Sequence, residues 1–218
     1  MTLLRIDASI RFEGSVSREL ADIAEQAWTA EHRGDEVVRR DLGRDPLPAG
    51  LWPAIVSGRG VPEAQHTDEQ RAATAVAAGL VDELATADAI IVATPLYNFG
   101  VSQHLKTWID LVMTDPRLLS GGDLVSGRPL ILALARGGGY GTGTPREGWD
   151  HATPWLERIF RDVWGADLRL ATAELTLADV TPQMEPLRGL AAESRELARR
   201  TALEHGTAMA RELSRPAA

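Results

Sequence analysis

The chain has 218 residues, a net charge of −8, and 44% hydrophobic against 25% charged residues. It is long enough for a well-buried core, and this composition excludes collagen-like repeats, coiled-coil arrays and wholesale disorder. The acidic balance, with a pI near 5.2, disfavours general binding to nucleic acid or an anionic membrane. Cysteine is absent, so disulfides, thiolate metal sites and a cysteine nucleophile are excluded, and any redox chemistry needs a bound cofactor.

The first apolar run, Leu3 to Ala8, reads as a strand. Arg5 and Asp7 interrupt it, so it does not resemble the apolar core of a signal peptide. No run of about 20 apolar residues follows anywhere. The cytoplasm is the expected location. A turn-rich stretch, Ser9 to Ser17, leads into a helix pattern on Val16, Leu20, Ile23, Ala24 and Ala27, with Gly34 as its stop. Glu36 to Leu42 reads as a second strand around Val37 and Val38.

Residues 43–66 hold Pro46, Pro48, Pro53 and Pro62 and read as a long irregular connection. Loops of that length are usually functional or mobile. Trp52 either packs on its own chain or forms part of a lid or dimer contact. Thr67, with Gln70 three residues on, predicts a capping box opening a helix whose stripe is Val76, Ala77, Leu80, Val81 and Leu84.

Ala89 to Ala93 is apolar without alternation, as in a central parallel strand. Thr94 to Gly100 reads as a loop, and Ser102 to Met113 as a helix. Leu130 to Leu134 is a second fully apolar strand, followed by a glycine-rich loop, Gly137 to Pro145. Trp149 to Trp164 reads as a helix with Trp155, Leu156, Ile159, Phe160 and Val163 inward. A strand over 168–176 precedes a last helix starting near Thr181-Pro182, with Leu187, Leu190, Ser194, Leu197 and Thr201 as its stripe.

Strict β-α alternation predicts an α/β fold of three layers: a doubly wound, five-stranded parallel sheet with helices on both faces. Five strands suit the flavodoxin-like order 2-1-3-4-5. No composition break or repeat marks a boundary, so 1–218 reads as a single domain.

In such a sheet, ligands bind beyond the C-terminal strand ends. Three loops leave those ends. The first places Ser9, Ser15 and Ser17 around Gly14 at a helix start. There the hydroxyls either cap the helix or help free N–H groups hold a phosphate. The second, Thr94 to Gly100, carries Tyr97, Asn98 and Phe99. These either anchor the next helix or form an edge for a flat heteroaromatic ring. The third, Ala135-Arg136-Gly137-Gly138-Gly139-Tyr140-Gly141, lets backbone approach a ligand closely. The GxxxxGK(S/T), GxGxxG and GxSxG fingerprints are absent. The five histidines show no metal-ligand spacing. A phosphate binder, a ring edge and a close-backbone loop at one switch point jointly fit flavin mononucleotide.

At these residues the chain resembles the FMN-dependent NADH-azoreductase/quinone reductase family. The likeness runs through Ser9 with Ser15-Val16-Ser17, through Pro95-Leu96-Tyr97-Asn98-Phe99-Gly100-Val101 and Leu105 to Asp110, and through Arg136-Gly137-Gly138 and Thr153-Pro154-Trp155-Leu156. It implies a flavodoxin-like homodimer that carries electrons from NADH or NADPH through FMN to quinones or azo compounds by ping-pong transfer. Under it, Ser9, Ser15, Val16 and Ser17 would hold the phosphate, and Leu96, Tyr97, Asn98 and Phe99 would line the ring. Ala135, Arg136, Gly137 and Gly138 would meet its pyrimidine side. No metal and no side-chain acid or base is expected, since the flavin does the chemistry. Ala135 stands where the family often has serine, and Thr114 to Gly127 is short and lacks the aromatics many relatives place over the flavin. Arg11, Arg59 and Arg136 are candidates for a nucleotide 2′-phosphate. An electron carrier of the flavodoxin type, or a flavin-free binding module on the same fold, is the alternative. A receiver domain fits less well, because only Asp7 stands at the first strand end.

Overall fold

A computed structural model describes residues 1–118 and 123–214. Its strands are β1 (Thr2–Asp7), β2 (Glu36–Asp41), β3 (Ala89–Tyr97), β4 (Gly100–Val101), β5 (Pro129–Ala135) and β6 (Asp167–Ala173). Its helices are α1 (Val16–Glu31), α2 (Leu51–Ser57), α3 (Asp68–Thr86), α4 (Gln103–Val112), α5 (Thr153–Glu157) and α6 (Arg188–Leu213). The parallel sheet runs β2-β1-β3-β5-β6, with β4 antiparallel on β3. Without the two-residue β4, this is the expected 2-1-3-4-5 order.

Period-two alternation splits the sheet's side chains between two cores. Leu4, Ile6, Ile90, Val92, Leu130 and Leu132 meet the face covered by α3, α4 and α5. Leu3, Ala89, Ile91, Ile131, Ala133 and Ala171 meet α1 and α6. Strands β3 and β5 are buried on both faces almost throughout. Thr67 accepts from the Gln70 N–H while the Gln70 side chain accepts from the Thr67 N–H, the predicted capping box. Among the described residues, no helix is long and apolar enough to cross a membrane.

Four expectations need correction. Residues 43–66 are not wholly irregular: α2 forms there, Pro53 sits in its first turns where it costs no hydrogen bond, and Leu51 and Ile55 pack on the core. Trp52 on α2 stays half-exposed. Strand β3 runs four residues past Ala93, because Thr94 to Leu96 remain buried between neighbours and Leu96 and Tyr97 pair with β4. The helix expected from Trp149 begins at Thr153 and continues as a π-helical segment, Arg158–Val163; Trp149 lies outside it and is exposed.

The fourth concerns the helix stripes. In α3, Val76 is exposed and Ala73 takes the buried position. In α6, Leu190 and Leu197 are exposed, while Ala198, Ala202, Gly206, Met209 and Ala210 are buried. Close approach to α1 selects that face: a Cβ on Gly206 would stand 2.5 Å from the Ala24 carbonyl oxygen. Small side chains bring two helix backbones together where leucines would hold them apart.

The α1 side of β1 carries a buried ionic network that periodicity does not reveal. Arg5 chelates Asp7 at 2.9 and 3.1 Å and also reaches Asp22 and Glu25. Arg18 chelates Asp41 at 2.8 and 2.7 Å and donates to the Ser9 carbonyl at 2.8 Å. Burial works against the charge on Arg5 and Arg18, but their carboxylate partners outweigh it and hold both pKa values above the ordinary one. Burial likewise pushes the Asp41 carboxyl up, and the Arg18 hydrogen bonds overcome this and leave it below the usual range. A carboxyl depressed in the folded state contributes its full stabilisation above the unfolded value of about 4 and loses it as pH falls through the folded value. Asp41→Asn should therefore cost about 1–3 kcal/mol at neutral pH. Its penalty should shrink as pH falls below about 4, as read from melting curves of both proteins at neutral and acid pH.

Candidate functional site

Strands β1, β3 and β5 end side by side, and the loops beyond them form two clefts that share Leu96, Tyr97, Gly137 and Leu177. The smaller, about 160 Å³, lies between the loop after β1, the end of β3 and the start of the glycine loop. Ser9, Ser15, Val16, Ser17 and Ala135 line it, along with Arg11 and Thr176.

Ser15 is the N-cap of α1, yet its side chain makes no capping bond. Its Oγ lies 3.4 Å from Ser17 Oγ, and both residues are buried. Among the described residues, the N–H groups of Val16, Ser17 and Arg18 have no acceptor outside the helix. Capping therefore does not explain the two serines. Their hydroxyls and the first-turn N–H groups are donors at the positive end of a helix. Ser9 differs: its Oγ accepts the Arg11 N–H at 3.2 Å and stands 3.5 Å from the Tyr97 hydroxyl. Its carbonyl is held by Arg18 and lies so near Gly43 that a Cβ there would come within 2.2 Å.

The larger cleft, about 660 Å³, is lined by Leu96, Tyr97, Asn98, Phe99, Gly137, Gly138 and Tyr140, and on its far side by Leu175, Leu177, Met184 and Leu187. Asn98 and Phe99 are the two turn residues between β3 and β4, at φ 48° and 67°. Two positive φ values in a two-residue hairpin match a type I′ turn. Asparagine accepts that conformation, whereas a phenylalanine there carries strain of order 1–3 kcal/mol. The turn holds the Phe99 ring over the cleft edge, edge-on to Tyr140 at 6.4 Å and to Trp149 at 5.4 Å.

In the glycine loop, the Gly137 and Gly138 carbonyls accept from the N–H groups of Leu177 and Leu175. Their own N–H groups have no partner among the described residues. Arg136 departs from expectation. Its side chain lines neither cleft and instead reaches Glu174 at 2.7 Å, Asp150 at 2.7 Å and Thr153 Oγ1 at 2.8 Å. Glu174 also accepts the Tyr140 N–H, and Asp150 accepts the N–H groups of Ala152 and Thr153. A guanidinium flanked by two carboxylates is drawn to them, so Arg136 acts as a clamp behind the loop and is not free for a 2′-phosphate. Arg59, in the turn after α2, also lines neither cleft, whereas Arg11 lines the smaller one.

Thus the structure brings together Ser9, Ser15, Val16, Ser17, Leu96, Tyr97, Asn98, Phe99, Ala135, Gly137 and Gly138, and leaves the Arg136 side chain outside. Sequence reasoning missed Leu175, Leu177, Met184 and Leu187. The sole available signal was their position after the last strand. The Thr114–Gly127 segment includes residues 119–122, which lie outside the described residues.

Residues 1–196 match the family described as Flavodoxin-like fold. An FMN-dependent NADH:quinone oxidoreductase of Parafrankia sp. (strain EAN1pec) is 34% identical over 94% of this chain and 99% of its own. One of Streptomyces coelicolor is 36% identical over 90% of each. Among solved structures, the azoreductase from Bacillus anthracis str. Sterne superposes with a TM-score of 0.78, covering 95% of this chain and 99% of that one. The FMN-dependent NADH-azoreductase from Bacillus anthracis str. Ames Ancestor in complex with FMN superposes with 0.71, covering 93% and 100%. Both are 21% identical and speak to the fold.

Glu174→Ala leaves Arg136 short of a carboxylate in a mostly buried setting. It should destabilise the chain by about 2–4 kcal/mol, measured by urea unfolding, whereas Glu174→Gln, which keeps the hydrogen bonds, should cost less.

Proposed function

Because the chain belongs to the flavodoxin-like family, we propose that it is an oxidoreductase that binds FMN and passes electrons from NADH or NADPH to quinones or azo compounds. One observation carries this reading. Free donors at the start of α1 and on the glycine loop face one crevice, and an apolar cleft edged by Tyr97 and Phe99 opens beside them. The donor set suits a phosphate at one end and a flat heteroaromatic ring at the other.

When bound, FMN supplies the redox chemistry, taking up a hydride equivalent from reduced nicotinamide and giving two electrons to the acceptor. The chain's own residues do the rest. Ser15 and Ser17, with the first-turn N–H groups of α1, bind the phosphate, and Ser9 fixes the loop that brings them there. Leu96, Tyr97, Asn98 and Phe99 form one wall of the ring site. Gly137 and Gly138 offer backbone donors to the ring's polar edge, Ala135 lines the crevice beside them, and Arg136 keeps that loop in place from behind. Leu177 lies over Gly137 and helps exclude water. The cleft of about 660 Å³ leaves room for a second ring beside the flavin, which supports turnover of small acceptors over service as an electron carrier.

In this reading 1–218 is one FMN-binding domain acting in the cytoplasm, without nucleic acid or membrane partners, and the chain works as a homodimer. The half-exposed indole of Trp52 on α2 supports a protein–protein contact on that side of the sheet. Light scattering should give twice 23.6 kDa; a fully active monomer would remove the dimer from the reading.

Replacing Ser15 and Ser17 together by alanine should weaken FMN binding by roughly 1–3 kcal/mol. The melting temperature of the flavin-free protein should hardly move, because neither hydroxyl caps the helix. Flavin titration and thermal melting on the same variant check both halves.

A further inference from the structure

Of the residues lining the larger cleft, Arg146 is the only charged one among those described. Its guanidinium carbon stands 5.8 Å from the centre of the Phe99 ring. Its Nη1 lies against the glycine loop, 3.1 Å from where a Cβ on Gly138 would be. It therefore spans the two walls between which a flat molecule would slide. Unlike Arg136, it forms no ion pair or hydrogen bond through its side chain among the described residues. Its position is set from the backbone: Thr144 and Glu147 N–H groups donate to Gly141 and Thr144, and the Trp149 N–H donates to Arg146 itself.

A free guanidinium on the rim of an otherwise uncharged, largely apolar cleft discriminates between ligands of the same shape. To a neutral ring it offers only stacking or a hydrogen bond to a carbonyl, whereas a sulfonate or carboxylate beside the ring gains a charge-assisted, two-pronged hydrogen bond. The chain's net charge of −8 repels anions on average, and Arg11, the cation of the adjoining smaller cleft, does not line this one. We propose that Arg146 selects acceptors in which a planar aromatic or quinonoid ring carries an anionic group. This inference rests on the oxidoreductase reading for its reaction but not for its binding step.

Two measurements test it and keep the two readings apart. The first compares 1,4-naphthoquinone with its 2-sulfonate as acceptors for the FMN-loaded protein, with NADH as donor. Arg146→Gln should lower kcat/KM for the sulfonate about tenfold more than for the neutral quinone, mostly through KM. Arg146→Lys, which keeps the charge but not the planar fork, should recover part of the difference. An unchanged ratio between the two quinones in Arg146→Gln overturns the proposal. So does a rise in KM for NADH with that ratio unchanged, which would assign Arg146 to the nucleotide. The second measurement needs no turnover: calorimetric titration of the protein with 2-naphthalenesulfonate and with 2-naphthol. The sulfonate should bind about tenfold more weakly to Arg146→Gln, and the naphthol should change less. Equal losses for both probes overturn the charge-selecting role. If the calorimetric difference holds while no FMN is retained and no NADH is consumed, Arg146 keeps its ligand class and the oxidoreductase reading falls.

Discussion

Arg5 and Asp7 leave β1 on the side that α1 covers, and burying them makes every later feature of the first loop conditional on pairing. A buried charge without a partner costs several kcal/mol, so Arg5 is met by Asp7, Asp22 and Glu25, and Arg18 by Asp41. This chain of ion pairs joins the end of β1, the first three turns of α1 and the end of β2. Arg18 extends it to the Ser9 carbonyl, and Gly43 allows the next loop to pack against that same carbonyl. The loop after β1 is thereby fixed from beneath. Because Arg18 is engaged by Asp41 and Ser9, the face turned to the crevice presents hydroxyls and backbone N–H groups, with Arg11 as its one lining cation among the described residues. These are donors suited to a phosphate in a protein that is acidic overall.

A second ionic node does the same for the other wall. Arg136, Glu174 and Asp150 come from the end of β5, the end of β6 and the approach to α5. Their mutual attraction holds the glycine loop with its carbonyls engaged and its N–H groups free. Between the two walls, the hairpin of β3 and β4 carries Phe99 in a conformation it would not choose alone. Its aromatic neighbours Tyr140 and Trp149 offset part of that strain. Rigid anchoring behind the site and unsatisfied donors within it are thus two sides of one arrangement, and each clamp frees a donor elsewhere.

The elements that could be read from the sequence are those whose cause is local. The apolar runs 89–93 and 130–134 contain no polar break, so they announce central strands, and Thr67 with Gln70 lies within one helical turn of its own partner. The three loops of the site followed from the same reasoning, because strand ends in a parallel sheet share one edge. The failures have a different origin. Leucines at regular spacing in α6 suggested the buried face, but the face that packs is the one that lets α6 approach α1, and that depends on Ala24 and Gly206, 182 positions apart in the chain. Residues 94–100 read as a loop, and it is the pairing of Leu96 and Tyr97 with Val101 and Gly100 that makes Asn98 and Phe99 a two-residue turn.

The sequence by itself determined the alternation of strands and helices, the two fully buried central strands, and the chemistry available at their C-terminal ends: serines, an aromatic-amide segment and glycines. Tertiary structure alone decided which of those groups are free. Ser15 and Ser17 do not cap their helix, Arg136 turns to Glu174 and Asp150, and Arg146 turns to the cleft. The reason is physical. Helix and strand preferences are set within a few residues, whereas the pairing of a guanidinium or a hydroxyl depends on which distant carboxylate or carbonyl the fold brings within about 3 Å of it.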